Sequence, residues 1–376
     1  MRICIVTRMD YNNYGNRLQN YALTMLLQDE GWDTYSGIEV RSKEDWEKRS
    51  TKSVRIIKHL IPFWMFQIKA HKELAIQEKQ RKTDKRRAAF ISFTDKYIHV
   101  LPPFIVKNGK DLSKKMERYK FDYYIVGSDQ VWNPAFSGRD YEFLTFAPKE
   151  KRLSFSASFG VDDIPEKQKE RYADALNGMR YISVREEQGI HIARYLTGRE
   201  DIDLTLDPTL LLDNDKWDRL IQNSGVNKPP KYIATYFLGE FPNAVIEFAQ
   251  KHNLPILMLN SKKALDLYSV DPTGFLDVLH DADYIFTDSF HALAFSLKFH
   301  KEFYVFERKE IGQANMFSRL NNLLELFDLT ERIVQNDKIV IKYKIHEQKW
   351  EKIDSYLLSQ KRKSINMLKK QMNMDA

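Results

Sequence analysis

Tyr284-Ile-Phe-Thr-Asp-Ser-Phe-His291, followed directly by Ala292-Leu-Ala-Phe-Ser-Leu297, decides the architecture. The apolar run reads as a buried parallel strand, and its polar end, Thr287-Asp288-Ser289, opens straight into an amphipathic helix. His291 then falls in the first turn of a helix at the carboxyl end of a strand, where open α/β sheets bind ligands. Helix N-termini present free backbone N–H groups and partial positive charge, so an anion is the expected guest. A histidine there either adds a proton donor to the anion site or simply caps and packs the helix. Three other strand ends of similar make-up favour the first reading.

Met1-Arg-Ile-Cys-Ile-Val-Thr7 reads as a strand and Asn12-Asn-Tyr-Gly-Asn16 as a turn-rich loop. Leu18, Tyr21, Ala22, Met25 and Leu26 then keep helical spacing from Arg17 to Leu27. On this reading Asn16 is the N-cap and Gly15 lets the backbone come close to a ligand, although such a turn is also ordinary punctuation. In Phe121-Asp-Tyr-Tyr-Ile-Val-Gly-Ser-Asp-Gln-Val-Trp-Asn-Pro134, Tyr123 to Val126 form a strand and Gly127-Ser128-Asp129 a tight turn. Asp129 has Gln130, Trp132 and Asn133 beside it, a combination of carboxylate, amides and indole suited to a sugar; a Ser/Asp helix cap is the alternative. In Met179-Arg-Tyr-Ile-Ser-Val-Arg-Glu-Glu-Gln-Gly189, Arg185 stands at a strand's carboxyl end. It suits bidentate capture of a carboxylate or phosphate, or else a surface ion pair with Glu186 or Glu187.

With these four segments in view, the chain resembles the polysaccharide pyruvyl transferase family. The matching pieces are Asn13-Tyr-Gly-Asn-Arg-Leu-Gln-Asn-Tyr-Ala-Leu23, Val126-Gly-Ser-Asp-Gln-Val-Trp-Asn133, Ser183-Val-Arg-Glu-Glu187, Leu206-Asp-Pro-Thr-Leu210 and Thr287-Asp-Ser-Phe-His-Ala-Leu293, in the family's order. The resemblance implies two Rossmann-like domains facing a cleft, similar to GT-B glycosyltransferases. It implies transfer of an enolpyruvyl-derived group from phosphoenolpyruvate to two hydroxyls of one sugar, giving a cyclic pyruvate ketal during capsular or exopolysaccharide synthesis. Phosphoenolpyruvate would be a co-substrate, and no cofactor or metal is expected. Asp129, Arg185 and His291 are the catalytic residues it points to. Asn13, Gly15, Asn16 and Ser289 would bind the donor, and Gln130, Trp132 and Asn133 the acceptor. Family members carry an arginine two positions before the histidine; here that position is Ser289, and Arg319 is the candidate replacement. The alternative is a GT-B-like glycosyltransferase using a nucleotide sugar.

Bulk properties agree with a two-domain cytoplasmic enzyme. The 376 residues suffice for two cores. Cys4 is the only cysteine, so no disulfide framework or thiolate cluster can form. The first strand is too short and too quickly interrupted for a signal peptide, and no apolar run reaches the roughly 20 residues that span a bilayer. The net charge of +7 comes from one place: residues 41–90 hold 15 Lys/Arg against 6 Asp/Glu. Within it, Val54-Arg-Ile-Ile-Lys-His-Leu-Ile-Pro-Phe-Trp-Met-Phe-Gln-Ile-Lys69 is apolar, aromatic and flanked by basic residues, as suits an anionic membrane surface. A lipid-diphosphate-linked saccharide acceptor would give that patch a purpose; a helical pair with a solvated basic face is the other reading. Nucleic acid is not expected, since no binding module accompanies the charge.

The expected organisation is an N-terminal Rossmann-like domain over 1–222 on the acceptor side, with a basic helical insertion over 41–120. Asn223-Ser-Gly-Val-Asn-Lys-Pro-Pro230 is the interdomain linker. A donor-side Rossmann-like domain follows over 231–335, and a helical segment over 336–376, helical from Trp350 to Met374, packs back across the first domain. Gly-x-Gly-x-x-Gly, Walker, His-Glu-x-x-His and Gly-x-Ser-x-Gly motifs are all missing from the chain, which argues against dinucleotide, P-loop, zinc-protease and α/β-hydrolase chemistry.

Overall fold

The computed structural model describes residues 1–37, 39–48, 52–222, 224–308, 314–341 and 343–373. Two compact units emerge. The first contains Met1–Tyr11, Gln19–Asp207 and Leu368–Ala376; the second contains Asn12–Leu18 and Pro208–Met367.

The strands of the first unit are β1 (Arg2–Val6), β2 (Asp33–Ser36), β3 (Val40–Ser42), β4 (Phe104–Val106), β5 (Tyr123–Asp129), β6 (Arg152–Ala157), β7 (Ile182–Val184) and β8 (Ile202–Leu204). Six of them build a parallel sheet in the order β2-β1-β5-β6-β7-β8. Ile3 to Val6 are fully buried, as expected of a strand covered on both faces by crossover helices. The register Ile3↔Tyr123 through Val6↔Val126 leaves β5 running past the end of β1, to Asp129. Beneath those ends lies a core containing Trp132, Phe143, Phe159 and Tyr172.

The stretch 41–120 lies between β2 and β5 within the first unit. A short parallel pair, β3 with β4, roots it, and helices Lys43–Lys48, Lys52–Leu60, Phe63–Thr83 and Lys85–Tyr97 fill it. Residues 49–51 of the basic segment lie outside the described residues. Asp84 separates the two long helices, its carboxylate accepting the Arg87 N–H at 3.1 Å as an N-cap. The insertion has a small core of Phe66, Ala70 and Ile105, while Ile57, Leu60 and Trp64 stay 60–76% exposed.

The second unit carries β9 (Ile233–Tyr236), β10 (Ile256–Met258), β11 (Tyr284–Thr287), β12 (Glu302–Phe306) and β13 (Ile333–Val334). They form a second parallel sheet in the order β10-β9-β11-β12-β13. The α/β architecture with two parallel sheets is therefore as the sequence led one to expect.

The division between units falls at Asp207/Pro208, earlier than the Asn223–Pro230 stretch, of which Asn223 itself lies outside the described residues. The cause is packing. Helices Pro208–Leu211 and Asn214–Ile221 belong with the second sheet, Trp217 meeting Phe295 edge-on at 5.0 Å. The Asn214 side-chain amide donates to the Lys298 carbonyl at 3.0 Å. At the other end, helix Glu347–Gln371 starts in the second unit and finishes in the first. There the Tyr123 hydroxyl donates to the Met372 carbonyl at 3.0 Å and Arg180 donates to the Asn373 side chain at 2.6 Å. Met374, the expected end of that helix, lies outside the described residues.

Candidate active site

In the second unit, two motifs far apart in sequence meet. Helix Tyr14–Asp29 begins there with its first turn. Asn13 caps it, its side-chain oxygen accepting the Asn16 N–H at 3.1 Å. The N-cap is thus Asn13 rather than Asn16, because the helix starts one turn before Arg17, with Gly15 inside it. Asn16 instead accepts from the Arg17 guanidinium at 2.8 Å. Tyr14 locks the turn: its ring stacks on Phe275 at 4.2 Å and its hydroxyl donates to the Val270 carbonyl at 3.0 Å.

That places Gly15 against His291. A Cβ on Gly15 would lie 2.0 Å from His291 Nδ1 and 2.3 Å from Cγ. The missing side chain makes room for an imidazole, so what approaches the glycine is the protein's own ring. His291 stands in the first turn of helix Phe290–Lys298, N-capped by Ser289 without a side-chain hydrogen bond. The strand end before it is rigid. Thr287 Oγ1 donates to the Tyr236 carbonyl at 2.6 Å and accepts the Ser289 N–H at 3.0 Å. Asp288 accepts the Leu238 and Gly239 N–H groups at 2.7 and 2.8 Å.

Arg308, just beyond β12, donates to the Asp288 carboxylate and to its main-chain carbonyl, both at 3.1 Å. A guanidinium therefore does stand beside Ser289's neighbour. Arg319, the residue singled out by sequence, is buried on helix Ala314–Leu326. Arg308 was legible by the rule that pointed to Arg185: a basic residue just past a parallel strand.

The first unit holds a charged cluster at the carboxyl ends of β1, β5, β7 and β8. Gln19 ties it together. Its amide nitrogen donates to Thr7 Oγ1 at 3.0 Å, and its oxygen accepts from the Ser128 N–H and hydroxyl at 3.1 and 2.9 Å. Arg185 Nη1 donates to Asp207 Oδ2 at 2.6 Å, Nη2 lies 3.8 Å from Asp129 and Nε 3.6 Å from Glu186. Burial opposes the Arg185 charge, but Asp207, Glu186 and Asp129 outweigh it, so its pKa moves up. Arg185 is thus no surface ion pair; its side chain is 3% exposed and already neutralised. Asp129, with a left-handed φ of 65°, is the most exposed carboxylate of the cluster at 14%. The smallness of Gly127 serves the sheet, since a Cβ there would meet the Phe155 carbonyl at 2.2 Å. Asp207 and Gln19 escaped the sequence reading because their roles exist only once β1, β5 and β8 are aligned.

Trp132 is a correction. Its indole is fully buried, stacked on Phe143 at 5.5 Å with Phe159 at 5.2 Å, and its N–H donates to the Glu142 carbonyl at 3.0 Å. No face remains for a sugar, because the chain after Asp129 turns inward to fill the core. Asn133 donates to the Gln130 side-chain oxygen at 3.0 Å, and both are buried. Among the described residues, no group of three or more His, Cys, Asp or Glu side chains is arranged to hold a metal ion.

The sequence matches a known profile, described as polysaccharide pyruvyl transferase, over residues 13–310, a span that includes Gly15, Gln19, Asp129, Arg185, Asp207 and His291. The chain belongs to this family. A transferase acting on polysaccharide is the activity that membership carries. No curated protein matches the chain. Solved structures similar to it include a glycosyltransferase from Rickettsia africae ESF-5, with 12% identity, TM-score 0.49, and coverage of 100% of this chain and 99% of that one. The UDP-GlcNAc 2-epimerase from Neisseria meningitidis bound to UDP-GlcNAc is similar at 10% identity and TM-score 0.47, covering 98% of this pyruvyl transferase family member and 100% of the epimerase.

Proposed function

We propose that this protein transfers the enolpyruvyl-derived group of phosphoenolpyruvate to two hydroxyls of one sugar, forming a cyclic pyruvate ketal in capsular or exopolysaccharide biosynthesis. The observation that carries the reading is the packing of His291 on Gly15, which joins the first and last family motifs in one place.

An enol phosphate resists alcohols until its methylene carbon is protonated, leaving the neighbouring carbon oxocarbenium-like. One sugar hydroxyl attacks that carbon, the bond to phosphate oxygen breaks, and the second hydroxyl closes the ketal. Of the two hydroxyl protons, one is balanced by the new methyl group and the other leaves with phosphate. His291 serves as the proton donor or as a phosphate contact. Asn13, Gly15, Asn16 and Ser289 form the donor site at the starts of helices Tyr14–Asp29 and Phe290–Lys298, whose positive ends favour an anion. Arg308 takes the role first given to Arg319, because its guanidinium is fixed next to Ser289 by Asp288. Asp129 orients the attacking hydroxyl, and Arg185 positions Asp129 rather than clamping the donor.

The acceptor in this reading is a lipid-diphosphate-linked saccharide. Support comes from helices Lys52–Leu60 and Phe63–Thr83, which expose Ile57, Leu60, Trp64 and Ile68 among basic residues. No described helix is long and apolar enough to cross a membrane. Sedimentation with phosphatidylglycerol vesicles, but not with phosphatidylcholine, is the expected behaviour; equal sedimentation with neither would remove the membrane from the proposal.

The main test is ligand-induced thermal stabilisation followed by turnover. Phosphoenolpyruvate should raise Tm, and His291→Ala should lower turnover by roughly 100-fold or more while the fold persists. Stabilisation by a nucleoside diphosphate alone would favour the nucleotide-sugar glycosyltransferase and end the present reading.

A further inference from the structure

A cavity of about 330 Å³ lies wholly within the first unit. That volume is at the lower end of the roughly 300–1,000 Å³ of small-molecule sites. Its walls are Thr7 to Met9 just past β1, strand β3, the segment Phe136 to Glu142, and one face of helix Phe63–Thr83. The helix presents Phe66, Ala70, Glu73 and Arg81 to the cavity, positions that recur at helical spacing. Its opposite side carries the exposed Trp64, Ile68 and Ile76. One helix thus faces a polar chamber on one side and offers apolar side chains to the surroundings on the other.

The chamber's chemistry is distinctive. Four arginines are matched by four carboxylates, so their charges cancel. Glu39 is shared by two of the arginines: Arg41 donates to it at 2.7 Å, and Arg81 approaches its other oxygen at 3.8 Å. The Gln77 side-chain oxygen accepts from Arg41 at 2.7 Å and holds it against the helix. Trp46 and Tyr141 add ring surface. A doubly anionic donor gains no net attraction in such a place. A hydroxyl-rich, uncharged molecule does well, since each hydroxyl can accept from a guanidinium and donate to a carboxylate.

Thr7 connects the chamber to the charged cluster. It lines the cavity, and its hydroxyl lies 3.5 Å from the carbonyl of Ser128, the residue before Asp129. We infer that this cavity binds the acceptor saccharide as one or two uncharged sugar units next to Asp129. The inference rests on the pyruvyl-transfer reading for its purpose, but binding there needs no donor. It also relocates the acceptor site from Gln130, Trp132 and Asn133 to residues of the basic insertion.

The test uses the full chain and saturation-transfer NMR with methyl glycosides of glucose, galactose, mannose and N-acetylglucosamine. At least one should receive saturation from the wild-type protein. Glu73→Ala combined with Arg81→Ala should weaken that binding roughly tenfold or more, as loss of one or two charge-assisted hydrogen bonds implies. Both side chains are partly exposed, 48% and 23%, so the variant should keep its fold. Should it not, Glu73→Gln alone provides the same comparison. Stabilisation by phosphoenolpyruvate should be unchanged in the variant. No transfer to any glycoside, or wild-type transfer in a folded variant, overturns the inference. Sugar binding without any response to phosphoenolpyruvate would instead sink the donor assignment and leave this site standing.

Discussion

Gly15→Ala is the sharpest perturbation available. The added methyl would sit 2.0, 2.3 and 2.5 Å from His291 Nδ1, Cγ and Cε1, whereas carbon atoms in contact settle at about 3.5–4.0 Å. The ring must therefore retreat by more than about 1 Å, since Tyr14, stacked on Phe275, holds the helix in place. A displacement of that size at a reacting group costs about 100-fold in rate. Stability should change little. Alanine gains about 1 kcal/mol over glycine in a helix, and the crowding costs about 1–3 kcal/mol unless the ring swings away. The assay is phosphate release from phosphoenolpyruvate, read beside the donor-induced Tm shift. Gly109→Ala is the control, because Gly109 opens helix Gly109–Glu117 and a Cβ there meets nothing within 4 Å. Wild-type turnover and donor affinity in Gly15→Ala would refute the claim that His291's position matters.

Arg185→Ala should destabilise the protein by about 3–5 kcal/mol, because it strands Asp207, Glu186 and Asp129 around an empty position; urea midpoints against Arg185→Lys, which keeps the charge, would show it, and equal midpoints would contradict the cluster. Trp132→Ala should cost about 3–5 kcal/mol as a core truncation, with little specific effect on saccharide affinity in whatever protein remains folded. Burial pushes the Lys298 ammonium down to about 8 from 10.5, against the pull of Asp354 and Asp213. The unfolded chain then binds the proton more tightly, so stability rises with pH between about 8 and 10.5, by up to about 3 kcal/mol. Denaturant midpoints at pH 7.5 and 10 should show this rise in the wild type and a smaller one in Lys298→Met.

Much of this was legible locally. Tyr284–Thr287 and helix Asn243–His252 follow from an uninterrupted apolar run and from residue spacing alone. What local patterns miss is identity of partners. Gly15 looked like an opening for a ligand, and its occupant is a ring 276 positions later. Trp132 beside an aspartate suggested a sugar platform, but a tertiary decision, the inward turn onto Phe143, makes it core. The inner face of helix Phe63–Thr83 mixes Phe66 and Ala70 with Glu73 and Arg81, so no clean amphipathic stripe reveals that it lines a chamber.

The split ownership of the last long helix bears on biogenesis. Residues near position 370 complete the unit built mainly from the beginning of the chain, through Tyr123, Arg180 and Glu30. Since domains tend to fold in the order in which they leave the ribosome, the earlier-made unit must wait for the later-made stretch to emerge. Its half-finished surface is then the stretch of synthesis in which chaperone protection matters most.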